Sequence, residues 1–333
     1  MEPIPNEQSR KGRRAQWGAY VVNDSPAVSF VVPCFNEAAV LPEALARMHA
    51  AARDAALDYE IVVVDDGSSD STWQVLEKAA SADHNVRGIR LSRNFGHQAA
   101  LTAGLERARG SQVLILDADL QDPPELISAM RAKMEEGYDV VYGKRRFRDG
   151  ESWVKRASAA CFYRLLNFFA EIEIPSDSGD FRLMNRRALD AFLKLPEASR
   201  YIRGMVAWIG FRQVAFEYHR HRRAAGKTKY GFGRMVRLSM DALTGFSIRP
   251  LRVASIASVI LIGISAMLMI RVLLSWATGG TVRGWTSLIV TVLFIGGVQT
   301  FILGILGEYI GRLFVEAKRR PLYLVSDETR PAG

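Results

Sequence analysis

The feature that most constrains this chain of 333 residues is a pair of long uncharged runs in its C-terminal third. The first run, 253–270, has 18 residues, and the second, 284–307, has 24. An α-helix rises about 1.5 Å per residue, so both runs approach or exceed the roughly 30 Å hydrocarbon core of a bilayer. A helix buried in a soluble core is the alternative, but two such runs in series are rare there. The sequence therefore predicts a transmembrane hairpin closed by the short segment 271–283.

Basic residues are distributed unevenly around this hairpin. The turn end carries Arg271 and Arg283, whereas the outer ends carry Arg249, Arg252, Arg312, Lys318, Arg319 and Arg320. Cytoplasmic loops of membrane proteins are enriched in Lys and Arg, so we expect the N-terminal region and the C-terminus to be cytoplasmic. The first 26 residues are polar and basic without an apolar core, which predicts a flexible tail rather than a signal peptide.

Before the hairpin, short apolar runs alternate with helical patterns. This alternation predicts an α/β fold with parallel strands, in which ligands bind at the carboxyl ends of the strands. The expected strands are 28–32, 60–64, 113–116 and 140–142, and the expected helices are 38–56, 72–81, 98–109 and 124–136. Two later segments, 153–170 and 230–251, are amphipathic, and each is either a packed helix or a helix in the membrane interface.

The overall charge indicates the chemistry of the partner. The formal net charge is +9, which favours an anionic partner such as nucleic acid, a lipid headgroup or a phosphorylated substrate. The two cysteines, Cys34 and Cys161, are far apart in sequence, which argues against a disulfide framework or a cysteine metal site and fits a reducing compartment.

An acidic motif follows the third predicted strand and reads Asp117-Ala118-Asp119-Leu120-Gln121. Two carboxylates at positions i and i+2 can reach one cation if the strand ends in a turn there. Hard oxygen ligands suit Mg²⁺ or Mn²⁺, which would neutralise a diphosphate leaving group. A solvated acidic loop is the alternative for such a triplet.

Polar residues also follow the first two predicted strands. Asn36 and Glu37 come after the first, and Asp65 and Asp66 come after the second. Carboxylates at these positions can accept hydrogen bonds from a base or a ribose hydroxyl. Alternatively, Glu37 stabilises a helix dipole and the residues 68–70 cap a helix.

A basic segment lies between residues 218 and 240 and contains seven Lys or Arg residues and no acid. A solvated charged face is the ordinary explanation of such a run. Because the segment leads toward the hairpin, we favour binding of a phosphate or a lipid headgroup.

These motifs together resemble glycosyltransferase family 2, and within it the polyprenyl-phosphate glycosyltransferases of the dolichol-phosphate mannosyltransferase and bactoprenol-phosphate glucosyltransferase types. The resemblance covers about residues 27–325 and rests on VVPCFNEAAVLP, VVVDDGSSDST, LSRNFGHQAALTAGL, DADLQDPPE, SGDFRLMNR, RAAGKTKYGF and LGEYIGRLFVEAKRRPLY. It implies a Rossmann-like GT-A catalytic domain followed by interfacial helices and a two-helix transmembrane hairpin.

The resemblance also implies roles for individual residues. The implied catalytic residues are Asp119, Asp180 and Asp177, and the implied metal ligands for Mg²⁺ or Mn²⁺ are Asp117, Asp119 and Gln121. The implied nucleotide contacts are Pro33, Phe35, Asn36, Glu37, Val64, Asp66, Asp117 and Ala118, where Phe35 occupies a position that is Tyr in many members. The implied phosphate-binding cations are Arg145, Arg156, Arg223 and Lys229.

The resemblance further implies the reaction. We expect inverting transfer of a sugar from a nucleotide sugar, with UDP-glucose favoured, to undecaprenyl phosphate at the cytoplasmic face of the inner membrane. The alternatives are a synthase of the dolichol-phosphate-mannose type that uses GDP-mannose, and a non-catalytic membrane adaptor with an α/β domain. A processive polysaccharide synthase is disfavoured because the chain has no Gln-x-x-Arg-Trp motif.

The expected partners are the nucleotide sugar, the polyprenyl phosphate lipid, the membrane and further copies of the chain, but not nucleic acid. The expected boundaries are a flexible tail at 1–26, a catalytic domain at 27–229 and a juxtamembrane segment at 230–252. Transmembrane helices at 253–276 and 284–311 and a cytoplasmic basic tail at 312–333 complete this division.

Overall fold

The computed structural model describes residues 25–145, 178–218, 249–278 and 284–329. Eight strands in these residues form one mixed sheet in the order β7-β5-β6-β4-β1-β2-β3-β8. The strands are β1 (Val28–Cys34), β2 (Tyr59–Asp65), β3 (Val86–Leu91), β4 (Gln112–Ile115), β5 (Val140–Arg145), β6 (Ser178–Asn185), β7 (Gln213–Tyr218) and β8 (Val325–Glu328).

Helices cover both faces of this sheet. One face packs against α1 (Leu41–Asp54), α2 (Thr72–Ala82) and α4 (Ile127–Glu135), the last of which follows the 3₁₀ turn Pro124–Leu126. The other face packs against α3 (His97–Arg107), α5 (Arg186–Leu193) and α6 (Ile202–Trp208). The central strands point side chains into both layers: in β1, Phe30 faces the first layer and Val31 the second, and both are fully buried. This burial on both faces explains why the central strands are nearly continuous apolar runs.

The α/β fold that the sequence predicts is confirmed. The four predicted strands are β1, β2, β4 and β5, and the four predicted helices are α1 to α4, whereas β3 and β7 were not predicted. β1 pairs in parallel with β2 and β4, and β2 pairs in parallel with β3. The sequence analysis did not predict β6, which lies antiparallel between β4 and β5, or β8, which lies antiparallel to β3. Because β4 and β5 are both antiparallel to β6, they run in the same direction, and β7 is parallel to β5. The carboxyl ends of β1, β2, β3, β4, β5 and β7 therefore meet at one edge, here called the carboxyl edge.

Helix α1 begins three residues later than the sequence pattern predicts. Residues 38–40 form a turn, and Pro42 lies in the first helical turn, where its missing N–H leaves no hydrogen bond unmade. Glu37 precedes the helix and contacts it through its carbonyl, which accepts a hydrogen bond from Leu41 N. Glu37 therefore lies before the helix, and the acidic residue in the first helical turn is Glu43.

Two long helices, α7 (Arg249–Ala277) and α8 (Trp285–Ala317), form the C-terminal region before β8. Within the described residues, one helical segment, Phe294–Ala317, has the length and composition to cross a membrane. Large apolar side chains along it are exposed, such as Phe301 (69%) and Leu313 (68%). Since exposed apolar stretches of this size need an apolar environment, they favour a membrane over a soluble core. The predicted first span, 253–276, lies within α7 and stays a prediction.

Candidate functional site

Four loops at the carboxyl edge form a cleft. They follow β1, β2, β3 and β4, whose parallel register aligns Cys34 with Asp65 and Asp65 with Arg90. The polar motifs that the sequence analysis selected lie in the loops after β1, β2 and β4, as expected for an α/β sheet.

The loops after β1 and β2 are tied together by Asn36. Its backbone adopts a left-handed conformation with φ 55°, which Asn tolerates better than most residues. The side-chain Oδ1 of Asn36 accepts hydrogen bonds from Ser69 N (2.9 Å) and Asp70 N (3.4 Å), and its backbone N–H donates to Ser68 Oγ (2.9 Å). The amide oxygen of Asn36 is therefore used to shape the cleft. Phe35 beside it is 38% exposed, which leaves its ring accessible.

Asp66 ties the loop after β2 to the loop after β3. Its two carboxylate oxygens accept hydrogen bonds from Phe95 N (2.7 Å) and Gly96 N (2.9 Å), and the residue is only 3% exposed. Burial raises the pKa of Asp66 despite these two hydrogen bonds. Next to it, Gly67 has φ 67°, and a Cβ there would lie 2.5 Å from the carbonyl carbon of Arg93. Glycine is therefore required for the two loops to approach this closely.

Of the other predicted nucleotide contacts in these loops, Pro33 and Val64 are strand residues paired with each other in the register of β1 and β2. Both are buried, and Val64 packs in the hydrophobic core between the sheet and α3. Glu37 donates its backbone N–H to Thr72 Oγ1 (3.0 Å), which adds a further link between the first two loops.

The acidic motif after β4 forms a tight turn. Leu120 has φ 60°, and Asp119 Oδ1 accepts a hydrogen bond from Gln121 N (3.2 Å). Asp117 at the start of the turn is partly exposed, whereas Ala118 is buried. Burial, together with the nearby carboxylates of Asp180, Asp122 and Asp119, raises the pKa of Asp117 to about 6, although the charge of His97 opposes this rise. The motif is therefore a concentration of negative charge at the floor of the cleft.

Two cations converge on Asp180 in strand β6. Arg203 Nε lies 2.9 Å from Asp180 Oδ1, and Arg203 Nη2 lies 3.3 Å from Oδ2. His97 Nε2 lies 3.2 Å from Asp180 Oδ2 and 3.7 Å from Asp117 Oδ1. Burial alone would raise the pKa of Asp180, but Arg203 and His97 hold it well below its usual range. Burial alone would lower the pKa of His97, but its hydrogen bond to Asp180 and the charge of Asp117 raise it to about 9.

Comparison with known proteins identifies the family. Residues 29–193 match the profile of glycosyl transferase family 2. A glycosyltransferase of Bacillus subtilis, YkcC, is 47% identical over 298 residues, which cover 89% of this chain and 92% of the relative. The chain belongs to glycosyltransferase family 2. Its sheet with helices on both faces is the GT-A-like domain of this family, and the chain is a glycosyltransferase.

Three further similarities concern the C-terminal region, the chain as a whole and the fold. Residues 249–313 of this glycosyltransferase match the GtrB C-terminal hairpin, which indicates membrane association. The bactoprenol glucosyl transferase of Shigella phage SfV is 37% identical over 305 residues, which cover 90% of this chain and 98% of the relative. A crystal structure of glucosyl-3-phosphoglycerate synthase from Mycobacterium tuberculosis with Mn²⁺ and UDP has 17% identity and a TM-score of 0.43, and covers 73% of this chain and 84% of that one.

A divalent cation fits the donor chemistry of the acidic motif in this glycosyltransferase. Asp117 and Asp119 supply the carboxylate oxygens that Mg²⁺ and Mn²⁺ prefer, and the pKa of Asp117 is raised chiefly by burial and further by the neighbouring carboxylates. The described residues contain no group of three or more His, Cys, Asp or Glu placed to enclose a metal ion. Mg²⁺ is commonly held by one or two carboxylates together with substrate phosphates, and the two carboxylates of the motif match that donor set.

Several predicted residues of the glycosyltransferase lie outside the described residues. These are Asp177 and three of the phosphate-binding candidates, Arg156, Arg223 and Lys229. The fourth candidate, Arg145, is the last residue of β5, and its side chain is also outside the description. Their roles stay predictions.

His97 and Arg203 are the site residues that the sequence analysis missed. His97 begins α3 directly after the loop that follows β3, so its position at the carboxyl edge was a usable signal. Arg203 lies near the start of α6 and carries no local signal, since its partner Asp180 is 23 residues earlier on another element.

Proposed function

We propose that this glycosyltransferase moves a sugar, preferably glucose from UDP-glucose, onto a polyprenyl phosphate such as undecaprenyl phosphate, with inversion at the sugar. The identity to bactoprenol glucosyl transferases along nearly the whole chain supports this acceptor. A GDP-mannose donor is the alternative within the same reaction class.

The observation that carries the proposal is where the chain leaves and rejoins the catalytic domain. Strand β7 ends at Tyr218 on the carboxyl edge, and the chain then continues toward α7. After α8 the chain returns to the same edge, where Leu324 O accepts a hydrogen bond from Ser92 N (2.8 Å) just beyond β3. The last residue of β7 and the segment that leads from α8 into β8 therefore both lie at the edge that carries the acidic cleft. This geometry supports an acceptor whose phosphate lies at the membrane surface.

The end of α8 also contacts the catalytic domain directly. Glu316 Oε1 accepts a hydrogen bond from Ala198 N (2.8 Å) in the segment between α5 and α6. Residues after 312, for which the sequence predicts a basic tail, continue α8 to Ala317 and then form β8. These contacts support a cleft held at a defined distance from the bilayer.

The proposed chemistry is a single displacement. A phosphate monoester has a second pKa of about 6, so at pH 7 the acceptor is largely a dianion and needs no strong base. Its oxygen attacks the anomeric carbon as the bond to the nucleoside diphosphate breaks, which inverts that carbon. A divalent cation held by Asp117 and Asp119, when bound, neutralises the departing diphosphate.

The side chains of the cleft then have positioning tasks. Asp180 is an anion with a pKa well below its usual range, so we assign it to accepting a hydrogen bond, for example from a sugar hydroxyl, rather than to removing a proton. Asn36 and Asp66 keep the nucleotide loops in one conformation through their backbone contacts. Catalysis by positioning and electrostatics is sufficient when the nucleophile is already charged.

We further propose the topology and assembly of the protein. The excess of Arg and Lys at the outer ends of the hairpin supports cytoplasmic placement of the catalytic domain and of both termini. Small residues on α8 support association of hairpins from two or more copies. Among the described residues, nothing lies within 4 Å of a Cβ built on Gly304, Gly307 or Gly311, so another helix has room to approach.

The test uses the full chain, purified in mild detergent, with undecaprenyl phosphate and a panel of UDP-glucose, other UDP-sugars and GDP-mannose. We expect one donor to yield lipid-linked sugar and free nucleoside diphosphate in equal amounts, and only when the lipid is present. The Asp119→Asn variant is the matched control, because it keeps the shape of the side chain and removes its charge. Failure of every donor to yield a lipid-linked sugar would refute the proposed acceptor and donors.

A further inference from the structure

Two side chains, Arg203 and His97, make three contacts with the Asp180 carboxylate. Arg203 contacts both of its oxygens through two different nitrogens, and His97 adds a third contact. The Asp180 side chain is 7% exposed, so water has little access to replace these donors. Two-point contact by a planar guanidinium fixes the orientation of a carboxylate as well as its position.

The two donors come from elements that are themselves anchored to each other. Ile202 N, at the start of α6, donates to Gln98 Oε1 (3.0 Å) at the start of α3. This bond fixes the spacing between the neighbouring residues, Arg203 on α6 and His97 on α3. The backbone next to Arg203 is therefore anchored to α3, which limits the positions that its guanidinium can take beside Asp180.

The same His97 nitrogen also faces Asp117, at 3.7 Å. Asp117 and Asp180 are like charges in one cleft, and without a donor between them they would repel each other and separate. His97 thus sets the distance between the acidic motif after β4 and the carboxylate on β6.

We infer that Arg203 and His97 are positioning residues that act through Asp180, fixing its carboxylate beside the acidic motif in the orientation that the transferred sugar requires. This inference rests on the proposed function, since it assigns Asp180 to the sugar side of the cleft. Neither Arg203 nor His97 is required to touch substrate for this role.

The test compares Arg203→Met and Arg203→Lys with wild type in the full-length enzyme, using the donor and lipid acceptor that wild type turns over. Rates are expressed per nucleotide-binding site, counted by calorimetric titration with the nucleoside diphosphate, so that misfolded protein does not contribute. Arg203→Met should lower kcat by roughly 10- to 100-fold, as expected for lost hydrogen bonds to a charged group, with little change in donor KM. Arg203→Lys keeps the charge but offers one nitrogen, and should recover part of kcat.

A double-mutant cycle separates action through Asp180 from a direct role. Once Asp180→Asn has removed the charged acceptor, adding Arg203→Met should lower kcat little further. The His97→Gln variant keeps a donor at the same place and should retain more activity than His97→Ala.

Arg187→Met is the matched structural control. Arg187 also pairs with a buried aspartate, Asp139 (2.6 Å), but Asp139 precedes β5 at the opposite edge of the sheet. This variant should lose thermal stability and keep its kcat per binding site. An unchanged kcat in Arg203→Met, or full additivity in the cycle, would overturn the inference while the proposed function stands. A wild-type enzyme that forms no lipid-linked sugar would overturn both.

Discussion

The buried carboxylate of Glu60 offers a sharp test of what stabilises the catalytic domain. Glu60 lies near the start of β2, with its side chain 3% exposed. Its Oε1 accepts hydrogen bonds from Ser29 Oγ (2.7 Å) and Arg109 N (2.6 Å), and its Oε2 lies 3.0 Å from Arg109 Nε and 3.4 Å from Arg87 Nη1. One side chain thus joins β1, β2, β3 and the turn before β4, at the edge opposite the cleft.

The Glu60→Gln substitution keeps the shape of the side chain and removes its charge. A carboxamide has one oxygen acceptor where the carboxylate has two. Its NH₂ group must therefore face other hydrogen-bond donors, which then lack an acceptor. Breaking a buried ion pair typically costs about 3–5 kcal/mol. Because Arg87 and Arg109 are 21% and 58% exposed, water compensates part of the loss, and we expect about 3 kcal/mol. For a domain of this size, that corresponds to a fall in Tm of roughly 6–12 °C.

The assay is thermal unfolding of the full chain in detergent, followed by tryptophan fluorescence. Glu136→Gln is the matched control, because Glu136 pairs with Lys133 at an exposed position where an ion pair adds little. Sugar transfer per folded molecule should be unchanged in Glu60→Gln, since Glu60 is remote from the cleft. Equal and small Tm changes in the two variants would show that the buried network does not stabilise the domain.

The same network predicts a pH dependence of stability. Burial alone would raise the pKa of Glu60, but the hydrogen bonds from Ser29 and Arg109 outweigh it and lower the pKa. A carboxyl with a lowered pKa in the folded state contributes stability above its unfolded pKa of about 4.3, and loses it as the pH falls through the folded value. The Tm difference between wild type and Glu60→Gln should therefore be full at pH 7 and shrink in acid. A difference that persists unchanged below pH 3 would contradict this assignment.

Four further predictions concern the cleft and the hairpin. Asp119→Ala and chelation by EDTA should each abolish sugar transfer, and Mg²⁺ or Mn²⁺ should restore it after EDTA alone; full activity of the variant without metal would refute the metal site. Gly143→Ala should lower Tm, since the added Cβ would lie 2.6 Å from Phe181 Cδ1; an unchanged Tm would show that the ring has room to move. Glu316→Gln removes a charged acceptor of Ala198 N and should weaken transfer to the membrane lipid more than it weakens nucleotide binding, measured by calorimetry; equal losses would argue against the docking role. Gly307→Leu should weaken self-association in detergent, measured by light scattering, and wild type that is monomeric at all concentrations would refute the assembly proposal.

Much of the architecture is encoded in short stretches of sequence. The four predicted strands are correct because strands buried on both faces must be continuously apolar, and that pattern needs no distant partner to be recognised. The acidic motif lies in the predicted cleft because the end of a parallel strand is also a position at the carboxyl edge. The long helices α7 and α8 follow from uncharged runs in the same way.

Other features depend on contacts between residues far apart in sequence. Strand β8 is short and polar, and it becomes a strand because the edge of β3 offers unpaired backbone groups to the returning chain. Its four residues carry no apolar alternation, so no local pattern predicted it.

The roles of individual polar residues were decided in the same way. Asn36 and Asp66, whose contact with the nucleotide stays a prediction, accept hydrogen bonds from backbone N–H groups of neighbouring loops, and no local pattern shows these contacts. His97 and Asp180 are 83 residues apart in sequence, and they lie within hydrogen-bonding distance because β6 pairs with β4. The sequence alone determined that the polar residues after β1, β2 and β4 reach the carboxyl edge, because the apolar runs of these strands can be recognised locally. Only the tertiary structure decided which of them pair with each other, because a buried polar group takes whichever partner the packed fold brings within hydrogen-bonding distance.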